Sequence, residues 1–226
     1  MEEKLTKIID IFKEKTRKNC YKIDLIDGEP TILDDKLGGK PYLPIGEEYP
    51  KDKDGNNLAL LLQINLKNIN LDGYPKKGIL EIFTDAKVDY PCQYSVKYFD
   101  EGLDYKTDLP DIDISNYIVD KSYKINLTKD ICYMPINDYR FNKTFISIVN
   151  DVCNTSFKYV SELDDFFGNL VWYDNLCNAY ANPEISIGGY PDFTQNDPRY
   201  DMKDNKDECI FKLDSNANYD KIQICP

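Results

Sequence analysis

The sequence predicts a mainly β, β-rich α+β fold made of two related halves of mostly antiparallel sheet, with about two helices. Three observations lead there. Short apolar runs of strand length recur between turn signals, as in "LALLLQINL" (58–66) and "GILEIFTD" (78–85). The pattern Gly-Gly-x-Pro-x-apolar occurs twice, in "KLGGKPYLPIGEEYP" (36–50) and in "ISIGGYPDFTQNDPR" (185–199). Each copy precedes a strand at nearly the same distance: 24 residues lead from Gly39 to Gln63, and 23 from Gly189 to Lys212. The same order at the same spacing predicts an internal duplication about 150 residues apart.

The elements follow in order. Residues 3–18 place Leu5, Ile8, Ile9 and Phe12 at helical spacing, with Lys and Glu on the other face, so an amphipathic helix is expected to pack on the body of the protein. "YKIDLI" (21–26) alternates like a strand. In the first double-glycine segment, Gly38 and Gly39 permit backbone angles that side chains forbid. Pro41 and Pro44 hold the chain extended and bar it from a central strand, which predicts an irregular loop across a sheet edge. "DKDGNN" (52–57) reads as a tight turn. A calcium loop is excluded there by the offset of its glycine and by Gln63 at the twelfth position. "QYSVKYF" (93–99) alternates, so one face should be solvated, and residues 100–121 are acidic and read as a solvated loop. "SYKINL" (122–127) and "FISIV" (145–149) are further strands by composition. Residues 161–182 read as one helix opened by a Ser161/Asp164 capping box, with Trp172 in the core. Gly188, Gly189 and Pro191 then repeat the architectural motif, and "CIFKLDS" (209–215) repeats the strand. The successor of that strand falls due near residue 227, so the edge beside 209–215 is expected to be covered by the N-terminal helix, by a second copy in a homodimer, or by an added strand. The organisation expected is a single domain over 1–226: a helix and lead-in (1–30), a first half (31–150), and a helix with a shortened second half (151–226).

Composition narrows function by exclusion. Acidic residues outnumber basic ones, 40 to 28, for a net charge of −12, which disfavours nucleic acid and anionic membranes as partners. The N-terminus carries charges throughout and does not read as a signal peptide. The seven cysteines, at 20, 92, 132, 153, 177, 209 and 225, form no CxxC pair, which suggests reduced thiols in a cytoplasmic protein without a disulfide. The chain has no histidine, which removes His-activated nucleophiles and His-based zinc sites, so no metal and no cofactor are expected. A non-catalytic binding or interaction module fits best, for a small polar ligand or a protein partner, with 18 tyrosines suited to interfaces. Gln63, Tyr190, Gln195 and Asp214 are the candidate binding residues, polar positions on or beside the repeated motifs, and no catalytic residue is assigned. The buried amide of Gln63 must find partners, which the backbone of the loop can supply. Two alternatives stand beside this reading. One is a carboxylate-dependent hydrolase or transferase using pairs such as Asp34/Asp35 or Asp164/Asp165. The other is a structural subunit completed by a partner's strand.

Five ordered motifs, from "KLGGKPYLPIGEEYP" through "LALLLQINL", "GILEIFTD" and "IGGYPDFTQNDPR" to "FKLDS", resemble the YwqG-like family, a domain of unknown function found mainly in bacteria. The resemblance spans about residues 33–216. It implies a β-rich fold of two related halves with few helices, two glycine loops framing a groove between the halves, and no established activity. The sequence departs from the family in having Tyr49-Pro50 where Trp-Pro is usual, and in lacking the Trp-Gly-Asp-x-Gly motif that usually follows the Leu-Asp-Ser segment.

Overall fold

The computed structural model describes residues 1–85, 93–114, 117, 119, 121–192, 197 and 211–213. Eight strands, all paired antiparallel, and four α-helices make a mainly β protein with some helix among these residues. The expectation of about two helices was therefore too low.

The chain divides into two compact units. One takes Met1–Lys22 and Lys129–Asp214, and the other Ile23–Thr128. The chain passes between them inside two of its strands, β1 (Lys18–Ile26) and β6 (Tyr123–Cys132).

In the 23–128 unit the strands run in the order β5-β4-β3-β2-β6, with β2 at Lys36–Leu37, β3 at Ala59–Asn65, β4 at Ile79–Thr84 and β5 at Tyr94–Phe99. β3 and β4 are buried almost throughout, as their unbroken apolar runs require. They pair along their whole length, with Leu62 opposite Ile82 and Ile64 opposite Leu80. Two expectations are corrected here, and a third, the solvated face of β5, is met by its aromatic side. The double-glycine segment does not begin at a sheet edge: Lys36 and Leu37 form a short strand between β3 and β6, and only the chain from Gly38 onward leaves the sheet. In β5 the exposed side chains are Tyr94, Val96 and Tyr98, while Ser95 and Lys97 are half-buried. The pairing sets this face, because Lys97 lies opposite the buried Glu81. The acidic 100–121 segment is pinned down, since Leu109, Tyr117 and Val119 are buried. The Tyr117 hydroxyl donates to the Ala59 carbonyl at 3.2 Å.

In the other unit β1 pairs with β7 (Ile185–Gly188), and β7 with β8 (Phe211–Leu213). Its core is largely helical. The helix α1 (Glu2–Thr16) buries Leu5, Ile8, Ile9 and Phe12, the stripe read from sequence. The Phe12 ring meets Phe141 and Phe145 edge-on at 5.4 and 5.3 Å. Those two rings belong to α2 (Phe141–Cys153), which contains the "FISIV" run expected as a strand. Helical periodicity overrides β-propensity there: Phe141, Phe145, Ile148 and Val149 fall on one face at i, i+4, i+7 and i+8, and all four are buried.

The single helix expected over 161–182 is two, α3 (Leu163–Phe167) and α4 (Val171–Ala179). Gly168 at φ 102° and Leu170 at φ 58° break it. Asp164 does not close a capping box with Ser161. Its Oδ1 instead accepts the Leu170 N–H at 3.1 Å and the Trp172 indole N–H at 2.8 Å, bridging the break. Trp172 is buried against Phe145, as expected. No helix among the described residues is long and apolar enough to cross a membrane.

Candidate functional site

Strand pairing assembles a polar row inside an apolar sheet. Lys36 on β2 lies opposite Gln63 on β3, and Gln63 lies opposite Glu81 on β4. Directly paired residues point to the same face, so the three side chains stand in a line. They are 1%, 1% and 0% exposed, and a buried polar group without a partner costs about 1–3 kcal/mol, so each should be engaged. Gln63 is fully used. Its Nε2 donates to the Ile32 carbonyl at 2.7 Å and to the Asp34 carbonyl at 3.0 Å. Its Oε1 accepts the Tyr42 N–H at 2.8 Å, and Glu81 Oε1 accepts the same N–H at 2.8 Å. The Lys36 ammonium donates to the carbonyls of Thr31 and Ile32, both at 2.9 Å. The row thus fixes the backbone on both sides of the Gly38–Gly39 turn.

The second carboxylate oxygen of Glu81, Oε2, has no partner among the described residues. Burial raises this carboxyl from the ordinary 4.5 to about 8, against the Tyr42 N–H and the Lys36 charge, which both favour ionisation. Burial lowers the Lys36 ammonium from 10.5 to about 8, opposed by the charges of Glu81, Asp34 and Asp35.

Above this row the Gly38–Gly39 turn, at φ 71° and 81°, faces two cavities. One of about 170 Å³ is lined by Gly38, Gly39, Lys40, Tyr49, Tyr117 and Lys121, among others. The second, of about 590 Å³, reaches Glu29–Leu33, Tyr105 and Ser122 and shares Gly39 and Lys40 with the first. A side chain at Gly39 would press on the Ser122 Cβ at 3.0 Å. Pro41 is buried, and Pro44 bridges to Tyr105. Tyr49 is half-buried against Phe83 with ring centroids 6.0 Å apart.

The other double glycine turns the chain the same way, with Gly188 at φ 73° and Gly189 at φ 81°. The cross-strand register also repeats: Ser186, two residues before Gly188, lies opposite Lys212, as Lys36, two residues before Gly38, lies opposite Gln63. Tyr190 is buried, its hydroxyl donates to the Thr16 carbonyl at 2.8 Å, and its ring lies under Lys18 and Arg140. Of the residues singled out in the sequence, Gln63 joins the buried row and Tyr190 sits by the second turn. Gln195 and Asp214 lie outside the described residues.

The acidic pairs are engaged in holding loops. Asp34 Oδ2 accepts the Thr31 N–H at 2.8 Å. Asp35 accepts the Asn65 N–H at 2.6 Å and the Asn68 amide at 2.8 Å, and burial pushes its carboxyl up.

The chain matches the domain of unknown function DUF1963 over residues 35–225. It belongs to that family. The DUF1963 match begins one residue before Lys36, so it contains the whole buried row and both double-glycine turns, while α1 lies outside it. No curated protein matches the chain.

Sequence reading missed Lys36 and Glu81. Glu81 carries the signal that singled out Gln63, a polar residue inside an apolar run, here "GILEIF". Lys36 gives no such signal, because nothing local shows that two residues before the glycines form a central strand.

Proposed function

We propose that this DUF1963 chain is a non-catalytic binding module of the YwqG-like kind, bacterial and cytoplasmic, that receives a small polar ligand against the Gly38–Lys40 turn. One observation carries the reading: two residues past the turn that lines both cavities, Gln63 and Glu81 hold the chain through the shared Tyr42 N–H. A preorganised loop loses little entropy when a ligand arrives. Gly39 lets a ligand approach the backbone closely, Tyr49 and Tyr117 offer ring surfaces, and Lys40 and Lys121 offer cations, so a small carboxylic acid suits the smaller cavity. The perturbed Lys36 and Glu81 do not by themselves argue for catalysis, because at 1% and 0% exposure neither is presented to a substrate. The matching turn angles and cross-strand register support an internal duplication of turn and strand.

The test is an amide-resolved NMR titration of the full chain with a set of small mono- and dicarboxylic acids. Shifts should cluster at Gly38, Gly39, Lys40 and Lys121 and weaken at least fivefold in a Lys40→Ala/Lys121→Ala variant, on the order of 1 kcal/mol. Absent or scattered shifts refute the reading.

A further inference from the structure

We propose that Cys20 and Cys132 are an oxidation site: a buried dithiol that a small hydroperoxide converts to a disulfide beneath the Gly188–Gly189 turn. The two residues are 112 positions apart in the chain, and their sulfurs are 2.7 Å apart. That is well inside the ordinary contact distance of two sulfur atoms. Both thiols are free and about 1% exposed. A disulfide bond is about 2.05 Å long, so closing it moves the sulfurs together by well under 1 Å.

The surroundings prepare one of the two as the attacking group. The contact with Cys132 and burial both push the Cys20 thiol up. Cys132 is lowered by the same contact, against burial and the Asp130 charge, with further help from Lys212 and the Tyr190 backbone N–H. The thiolate is the attacking form of cysteine, and Cys132 gives up its proton more readily than Cys20. At about 1% exposure the pair is closed to bulky thiol reagents, so the oxidant proposed is a small one. The Cys132 thiolate attacks one oxygen of hydrogen peroxide, the O–O bond breaks, and hydroxide leaves, giving a sulfenic acid. The Cys20 sulfur then attacks the sulfenic sulfur. Its proton and the departing hydroxide form water, and the S–S bond closes. The hydroxide released in the first step takes up the proton that Cys132 lost on ionising, so two thiols lose two electrons and one peroxide becomes two waters.

The turn above is placed to sense this change. Gly189 has no room for a side chain: a Cβ there would lie 2.6 Å from Cys132 Sγ and 3.4 Å from Cys20 Cβ. The backbone of the turn therefore rests on the Cys132 side chain, and the Tyr190 N–H bonds to the sulfur that oxidation consumes.

The test uses the full wild-type chain, reduced and desalted, then exposed to hydrogen peroxide. Remaining thiols are alkylated under denaturing conditions and the peptides read by mass. The expected product joins the Cys20 peptide to the Cys132 peptide, about 2 Da lighter than their sum, and is reversed by dithiothreitol. Because the bond closes a long loop, the oxidised protein should melt several degrees higher, and Cys132→Ser should show no such rise. Recovery of Cys20 and Cys132 as separate alkylated peptides while exposed Cys177 is oxidised overturns the proposal. So does a cross-link from Cys20 to any other cysteine.

Discussion

Gly38–Gly39 and Gly188–Gly189 turn the backbone through nearly the same angles, φ 71° and 81° against 73° and 81°, yet rest on different chemistry. Under the first, the buried row is Lys36, Gln63 and Glu81, with Gln63 and Glu81 both holding the Tyr42 N–H. Under the second, the cross-strand pair is Ser186 and Lys212, and the Cys132 sulfur and the Cys20 Cβ fill the space against Gly189. The lysine has changed sides of the same register pair. A double-glycine turn thus fixes only the path of the backbone. The strand residues it crosses decide whether it rests on a hydrogen-bonded amide or on a thiol pair.

The comparison can be broken most forcefully at Gln63. Gln63→Ala removes three hydrogen bonds, orphans the Asp34 carbonyl and leaves the Ile32 carbonyl to Lys36 alone, and should cost about 3–4 kcal/mol in chemical denaturation. A loss under 1 kcal/mol would mean that the row does not hold the turn.

A methyl group on each turn sharpens the contrast. Gly189→Ala meets the Cys132 sulfur and Gly39→Ala meets the Ser122 Cβ, and both positions have φ 81°. The strain of a left-handed residue is about 1–2 kcal/mol in either case. The closer contact at Gly189 should bring its total to about 3 kcal/mol, against about 2 at Gly39. Adding Cys132→Ala should recover part of the Gly189→Ala loss and none of the Gly39→Ala loss.

The third test is pH. The folded-state value of Glu81 lies above its unfolded one, so its stabilising contribution is fully present below 4.5 and is lost as pH rises through about 8. The folded-state value of Lys36 is depressed, so its contribution is present above 10.5 and is lost as pH falls through about 8. Stability relative to a Glu81→Gln variant should therefore fall from pH 5 to 8, by at most about 1.4 kcal/mol per pH unit. A flat difference would show that Glu81 stays ionised throughout.

The smallest effect is expected at the rim. Lys40→Ala breaks only an exposed contact to Asp111 at 3.6 Å, and should change stability by no more than about 0.5 kcal/mol. A larger change would make Lys40 a structural residue and not a ligand contact.

The sequence by itself determined the β-rich class, the buried character of β3 and β4, the apolar stripe of α1 and the two turns, because each depends on local periodicity or on a residue type that tolerates few conformations. It also marked Gln63, since an amide in an apolar strand must be satisfied. Only the tertiary structure decided the rest. "FISIV" is locally a good strand, and it became helix because Phe141 and Phe145 find Phe12 on α1. The break between α3 and α4 depends on Asp164 reaching Leu170 and Trp172. Lys36 joins Gln63 and Glu81, and Cys20 meets Cys132 across 112 positions, through pairings between distant strands. Spacing along the chain carries no information about which strands become neighbours, and that choice is made by burial of the whole sheet at once.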